Sequence, residues 1–142
     1  MKKISMIIKS LRKYLLLDDW TLKFAIVEDT EELGQMEKAD YSRFLAALHF
    51  QKKYVEESSN DDVIELVMHE LCHIITIAPL QVFNDDEYNH KQIWHLEFIS
   101  IHSKMNIYNE QMNIKLTKIM MRGYKKTKAY KKLILKLEKK YV

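Results

Sequence analysis

Apolar residues recur every three or four positions at Ile4, Ile7, Ile8, Leu11 and Leu15, which predicts an amphipathic helix over 4–17, stopped by Asp18-Asp19. From Trp20 the period changes to two. Trp20, Leu22, Phe24 and Ile26 alternate with Thr21, Lys23, Ala25 and Val27, the pattern of a strand. Residues 28–34 read as an acidic connection, and 39–42 and 44–50 as one or two further short strands. Ser58-Ser59-Asn60-Asp61-Asp62 offers side chains that cap free backbone N–H groups. The helix it opens carries Val63, Ile64, Leu66, Val67, Leu71, Ile74 and Ile75 and ends before Pro79. A turn-like Asn84-Asp85-Asp86 precedes a helix with Ile93, Leu96, Ile99 and Ile101. Leu116, Ile119 and Met120 then lead to a break at Gly123 and a last amphipathic helix through Tyr130, Leu133, Ile134, Leu137 and Tyr141. This order predicts an α+β fold: an N-terminal helix, a small three-stranded sheet and further helices around one core.

A length of 142 residues bounds one compact domain, and 47% hydrophobic with 30% charged residues places it among globular proteins. Two Gly and one Pro argue against turn-rich β architectures. The net charge of +3 hides a division. Residues 1–114 carry 12 Lys+Arg against 19 Asp+Glu, a balance of −7, whereas residues 115–142 carry 11 against 1, a balance of +10. The expected organisation is therefore an acidic body over 1–114 and a basic helical extension over 115–142, either docked in the same unit or appended to it. The single cysteine, Cys72, cannot form an intramolecular disulfide, and no apolar run approaches the roughly 20 residues needed to span a bilayer. A cytoplasmic location is the expectation.

Chemistry enters within the apolar helix, where His69-Glu70-Leu71-Cys72-His73 spells H-E-x-x-H. Positions i and i+4 share a helix face, so both imidazoles can reach one ion. Zinc suits imidazole nitrogen, and a catalytic zinc keeps a position open for water, whose proton Glu70 would take as general base. Two histidines and a glutamate in an apolar helix are costly without a role. Cys72, between the ligands in sequence, points toward the packed side and reads as a small hydrophobe. His49 and His102 read as incidental. The site needs a third protein ligand, and Asp85, Asp86, Glu87, His90, His95 and Glu97 are candidates.

On these residues, with Asp18-Asp19-Trp20-Thr21-Leu22 at the start of the strand and Pro79-Leu80 after the motif, the chain resembles the zincin metallopeptidases. More narrowly, it is similar to small metallopeptidases encoded by phages and prophages of Gram-positive bacteria. The likeness covers roughly residues 18–105. It implies a zinc held by His69, His73 and Glu97, the last lying 24 residues after His73 in a helix. His90 is the rival, because His90-Lys91-Gln92-Ile93-Trp94 has the H-x-x-x-W pattern of the SprT-like branch. His95 would then support a ligand or an oxyanion. The resemblance also implies an edge strand beside the active-site helix that pairs with a substrate backbone, a place that Leu45 to Phe50 would fill. No Met-turn and no third histidine in the metzincin register is present, which excludes metzincins.

Two functions follow from these readings. The first is hydrolysis of peptide bonds in a protein or peptide substrate by a zinc-activated water. The second is a regulatory or nucleic-acid-associated protein of a mobile element, with a structural or vestigial zinc site. In that case residues 115–142 would make the contact with nucleic acid or an anionic surface. No zinc-finger, RNP or P-loop pattern accompanies the tail.

Overall fold

The computed structural model describes residues 1–76 and 95–141, with side chains for 1–76 and 107–139. Among the described residues, five helices and a three-stranded sheet share one core, an α+β arrangement. Helix α1 spans Lys2–Tyr14 and buries Ile4, Ile7, Ile8 and Leu11, the positions that the helical period picks out. It ends three residues before the predicted stop, because Leu16 adopts a positive φ of 58° and turns the chain. The Arg12 guanidinium then donates to the carbonyls of Asp18 and Trp20, both at 2.7 Å, and fixes the path into the sheet.

Strand β1 is Thr21–Val27, β2 is Gly34–Asp40 and β3 is Leu45–Gln51. Their order is β1-β3-β2, with β1 parallel and β2 antiparallel to β3. Two expectations are corrected here. The stretch predicted at 39–42 is a strand that starts at Gly34, so the acidic connection is shorter than expected. A register shift between Met36 and Lys38 breaks the two-residue alternation, and for that reason the strand does not show as a period in the sequence. Leu45 to Phe50 does not fill the edge. It is the central strand, buried at Ala46, Leu48 and Phe50, and β2 lies beside the helix that carries the histidines.

A short helix α2, Lys52–Glu57, leads to α3, Asn60–Thr76. Ser59 caps α3 as its sequence suggests: its hydroxyl accepts from the Asp62 N–H at 3.1 Å. Helix α3 is the core's axis, with Val63, Ile64, Val67, Met68, Leu71 and Cys72 all fully buried. The Tyr41 hydroxyl donates to the Ile74 carbonyl at 2.5 Å and ties the β2–β3 turn to its end. The turn predicted at 84–86 lies outside the described residues.

Helix α4, His95–Lys125, packs along α3, and α5, Lys128–Tyr141, packs against α1 and α4. The break expected at Gly123 is absent, since α4 runs through it. A Cβ at Gly123 would sit 2.5 Å from the Tyr14 hydroxyl, so the glycine serves a close approach of α1 rather than a stop. The corner comes at 126–127, where the Thr127 hydroxyl accepts from the Tyr130 N–H at 3.2 Å. The boundary expected after residue 114 falls inside α4. Tyr124, Leu133 and Leu137 are buried in the same core as Ile4 and Leu71, so 115–142 belongs to the compact unit. No described helix is long and apolar enough to cross a membrane.

Candidate metal centre

The spacing of His69 and His73 does what helical geometry requires: their rings meet edge to face on α3, with centroids 4.9 Å apart. The third group beside them comes from α4. Glu110 places Oε1 at 3.2 Å from His69 Nε2 and Oε2 at 3.6 Å from His73 Nε2. Among the described residues, His69, His73 and Glu110 are the set whose ligand atoms all lie within 4.8 Å of one another. Atoms bound to a tetrahedral zinc at about 2.0–2.1 Å are about 3.4 Å from each other. The two separations run to different carboxylate oxygens, and the ligand atoms lie within 4.8 Å of one another, so the donor set suits a metal ion of this kind in its chemistry and is near enough to close on one.

Hydrogen bonds from α4 set the histidine orientation. The Thr117 hydroxyl donates its proton to the Asn113 carbonyl at 2.7 Å. Toward His69 Nδ1, 3.4 Å away, it can then only accept. That assignment puts the imidazole proton on Nδ1 and leaves the Nε2 lone pair, the one a ligand needs, between Glu110 and the Asn113 amide, whose N–H it accepts at 3.3 Å. Asn113, fully buried, donates to the His69 carbonyl at 3.0 Å and so joins the two helices at the site. Burial lowers the pKa of His73, opposed by the nearby Glu110 carboxylate and reinforced by His69, and favours the neutral, ligating form. Thr117→Val keeps the shape and removes the acceptor. Zinc affinity measured by competition with a chromophoric chelator is expected to fall about 10–100-fold.

Glu70 leaves α3 toward β2, on the same cleft as the histidines. It is buried, and the nearby Met36 N–H favours its charged form. Burial, with the Glu110 charge adding to it, pushes its pKa from the ordinary 4.5 up to about 7. Gly34 makes this approach possible: a Cβ there would stand 3.1 Å from Leu66 Cδ1 and 3.2 Å from Glu70 Cγ. A cleft of about 430 Å³ opens between the helix and the strand, lined by residues 32–36 together with His69, Glu70, His73 and Glu110. Its charged walls are acidic.

His69, Glu70 and His73, the site residues expected from the sequence, line one cleft. Glu97 is in α4, as predicted for a helix, but the carboxylate found beside the histidines is that of Glu110, 13 residues further along. At 1.5 Å per residue the two positions are about 20 Å apart on one helix, so they cannot both serve one ion. Asp85, Asp86, Glu87 and His90, and the side chains of His95 and Glu97, lie outside the described residues. The spacing Glu110, Asn113, Thr117 was the missed signal, a polar stripe at intervals of three and four on a packed helix.

Cys72 is fully buried, and burial raises its thiol pKa to about 11, as befits a packing residue. His49 is not incidental and not on an edge. It sits on the central strand with Nδ1 2.6 Å from Glu37 Oε1 and Nε2 3.6 Å from Glu32 Oε2, bracing the strand that walls the cleft. No family model, curated protein or solved structure matches the chain.

Proposed function

We propose that the chain is a zinc-dependent metallopeptidase, with zinc held by His69, His73 and Glu110 and with Glu70 as general base. The observation that carries the reading is the donor set of two imidazoles and a carboxylate beside a separate, buried glutamate in one cleft. Bound zinc supplies a Lewis acid for a carbonyl oxygen and lowers the pKa of water to about 7.

The rest belongs to the chain. Glu70 accepts a proton from the attacking water and returns it to the leaving amine. The Met36 N–H beside it favours the charged carboxylate. Residues 32–36 provide a wall at the start of β2, a surface along which an extended peptide can lie. Glu32, Glu70 and Glu110 line the cleft with carboxylates, whose charge a bound dication would largely offset.

Structural zinc sites are closed by four protein ligands, whereas among the described residues three come together here, with Glu110 exposed at the cleft. Purified protein reconstituted with zinc and freed of excess metal is expected to hold one zinc per chain and to cleave fluorescent casein at neutral pH. A chelator is expected to stop cleavage and added zinc to restore it. Failure to retain zinc, or zinc-loaded protein that leaves casein intact, overturns the proposal.

A further inference from the structure

The basic tail is only half of a larger charged face. Residues 1–17 hold five Lys+Arg and no Asp or Glu, a balance of +5, so residues 18–114 stand at −12. Packing of α1 against α5 brings this basic start of the chain onto the +10 of residues 115–142. Between the two helices lies a groove of about 310 Å³, with Lys9 and Ser10 on the α1 wall, Lys132 and Lys136 on the α5 wall, and Met6, Ala129 and Leu133 completing its lining.

Helical spacing extends both walls. Lys2 and Lys13 continue the line of Lys9 on α1, and Lys128 and Lys139 continue that of Lys132 and Lys136 on α5. All seven are exposed, and among the described residues none is paired with a carboxylate. Among the described residues, the ion pair between the acidic body and the tail is Lys125 with Asp61, at the α4–α5 corner and away from these seven lysines.

We propose that the α1–α5 groove docks the phosphate backbone of duplex nucleic acid, without reading sequence. From 128 to 139 the α5 row covers about 17 Å, and a duplex presents one phosphate charge per about 1.7 Å of its axis, so several phosphates fall within reach. Lysines are point charges that position a backbone, whereas base reading draws on Arg, Asn and Gln in bidentate contacts. No aromatic ring lines the groove, so a single strand finds no stacking platform. An anionic membrane is less suited, because α5 spends its apolar face, Leu133 and Leu137, on the protein core and has no such face to insert. The groove shares no lining residue with the cleft of His69 and His73, and the inference does not depend on the peptidase reading.

The test is fluorescence anisotropy of the full chain with a labelled duplex of about 20 base pairs and arbitrary sequence. Between about 50 and 200 mM salt, three phosphate contacts weaken binding about 40-fold. The triple variant Lys9→Glu/Lys132→Glu/Lys136→Glu is expected to bind at least about tenfold more weakly and to flatten the log–log salt slope by about three. The neutral Lys9→Gln/Lys132→Gln/Lys136→Gln variant relieves lysine repulsion and carries the test if the first fails to fold. A control of equal charge change at exposed sites elsewhere, Lys23→Glu/Lys38→Glu/Lys53→Glu, is expected to bind within about threefold of the parent. Absence of binding at the lower salt, an equal loss in the control, or tighter binding to phosphatidylserine vesicles than to the duplex overturns the proposal.

Discussion

Glu110→Ala is expected to lower zinc affinity by about 10²–10³-fold. Apparent binding free energies of roughly 10–16 kcal/mol for four-ligand zinc sites amount to about 2.5–4 kcal/mol per ligand, and this substitution removes one of the three proposed protein ligands. The carboxylate leaves no buried orphan behind, because it is itself exposed, so the loss is confined to the metal. Glu97→Ala is the informative comparison. With Glu110 as the ligand, zinc affinity in Glu97→Ala stays at the parent value. The reverse pattern, zinc kept in Glu110→Ala and lost in Glu97→Ala, would restore the glutamate that the family resemblance suggested. Competition with a chromophoric chelator reads both variants on one scale.

Glu70→Gln separates metal binding from chemistry. Glu70 is not among the ligand atoms, so zinc content is expected to stay at one per chain while casein cleavage falls about 10²–10⁴-fold, the usual worth of a general base. The same substitution changes how the metal-free protein responds to pH. Burial raises the folded pKa of Glu70 to about 7 from an ordinary 4.5. Below about pH 4.5 the carboxyl is protonated in both folded and unfolded chains and costs nothing. As pH rises toward 7 the unfolded chain releases its proton and the folded one does not, so stability is lost across that window. The loss is about 3 kcal/mol. Glu70→Gln, neutral at every pH, removes this slope, and urea denaturation of chelator-treated protein at pH 4.5 and 8 measures the difference. An unchanged slope would mean that Glu70 is not the buried acid responsible.

The elements legible in the sequence are those in which one physical period dominates. Ile4, Ile7, Ile8 and Leu11 face one core and show it at helical spacing, and β3 shows its buried Ala46, Leu48 and Phe50 at a spacing of two. Strand β2 has no such clarity, because the shift between Met36 and Lys38 moves its inward residues out of step. Sheet order was also beyond the pattern: an apolar strand such as β3 reads equally well as edge or centre until its neighbours are known. The site divides along the same line. His69, Glu70 and His73 lie within five residues of chain, so helical geometry alone relates them. Glu110, Gly34 and Met36 reach the same cleft from distant elements, and only packing brings them there. Glu97 and Glu110 share one helix, and a spacing counted along the chain could not decide which turn of that helix would face α3.

The meeting of α1 with the α4–α5 corner has a consequence for how the chain assembles. Ser10 hydrogen-bonds Tyr124 across 114 residues of sequence, Tyr14 stacks on Tyr124, and Tyr130 bonds Asp61 across 69. Contacts of such separation must close large loops before they return any stabilisation. Folding is therefore expected to proceed by late closure of a clasp rather than by zippering of neighbours. Helix α4 also meets α3 directly, through Asn113 and the His69 carbonyl among other contacts, so the clasp closes over a helix pair that already brings the glutamate to the two histidines.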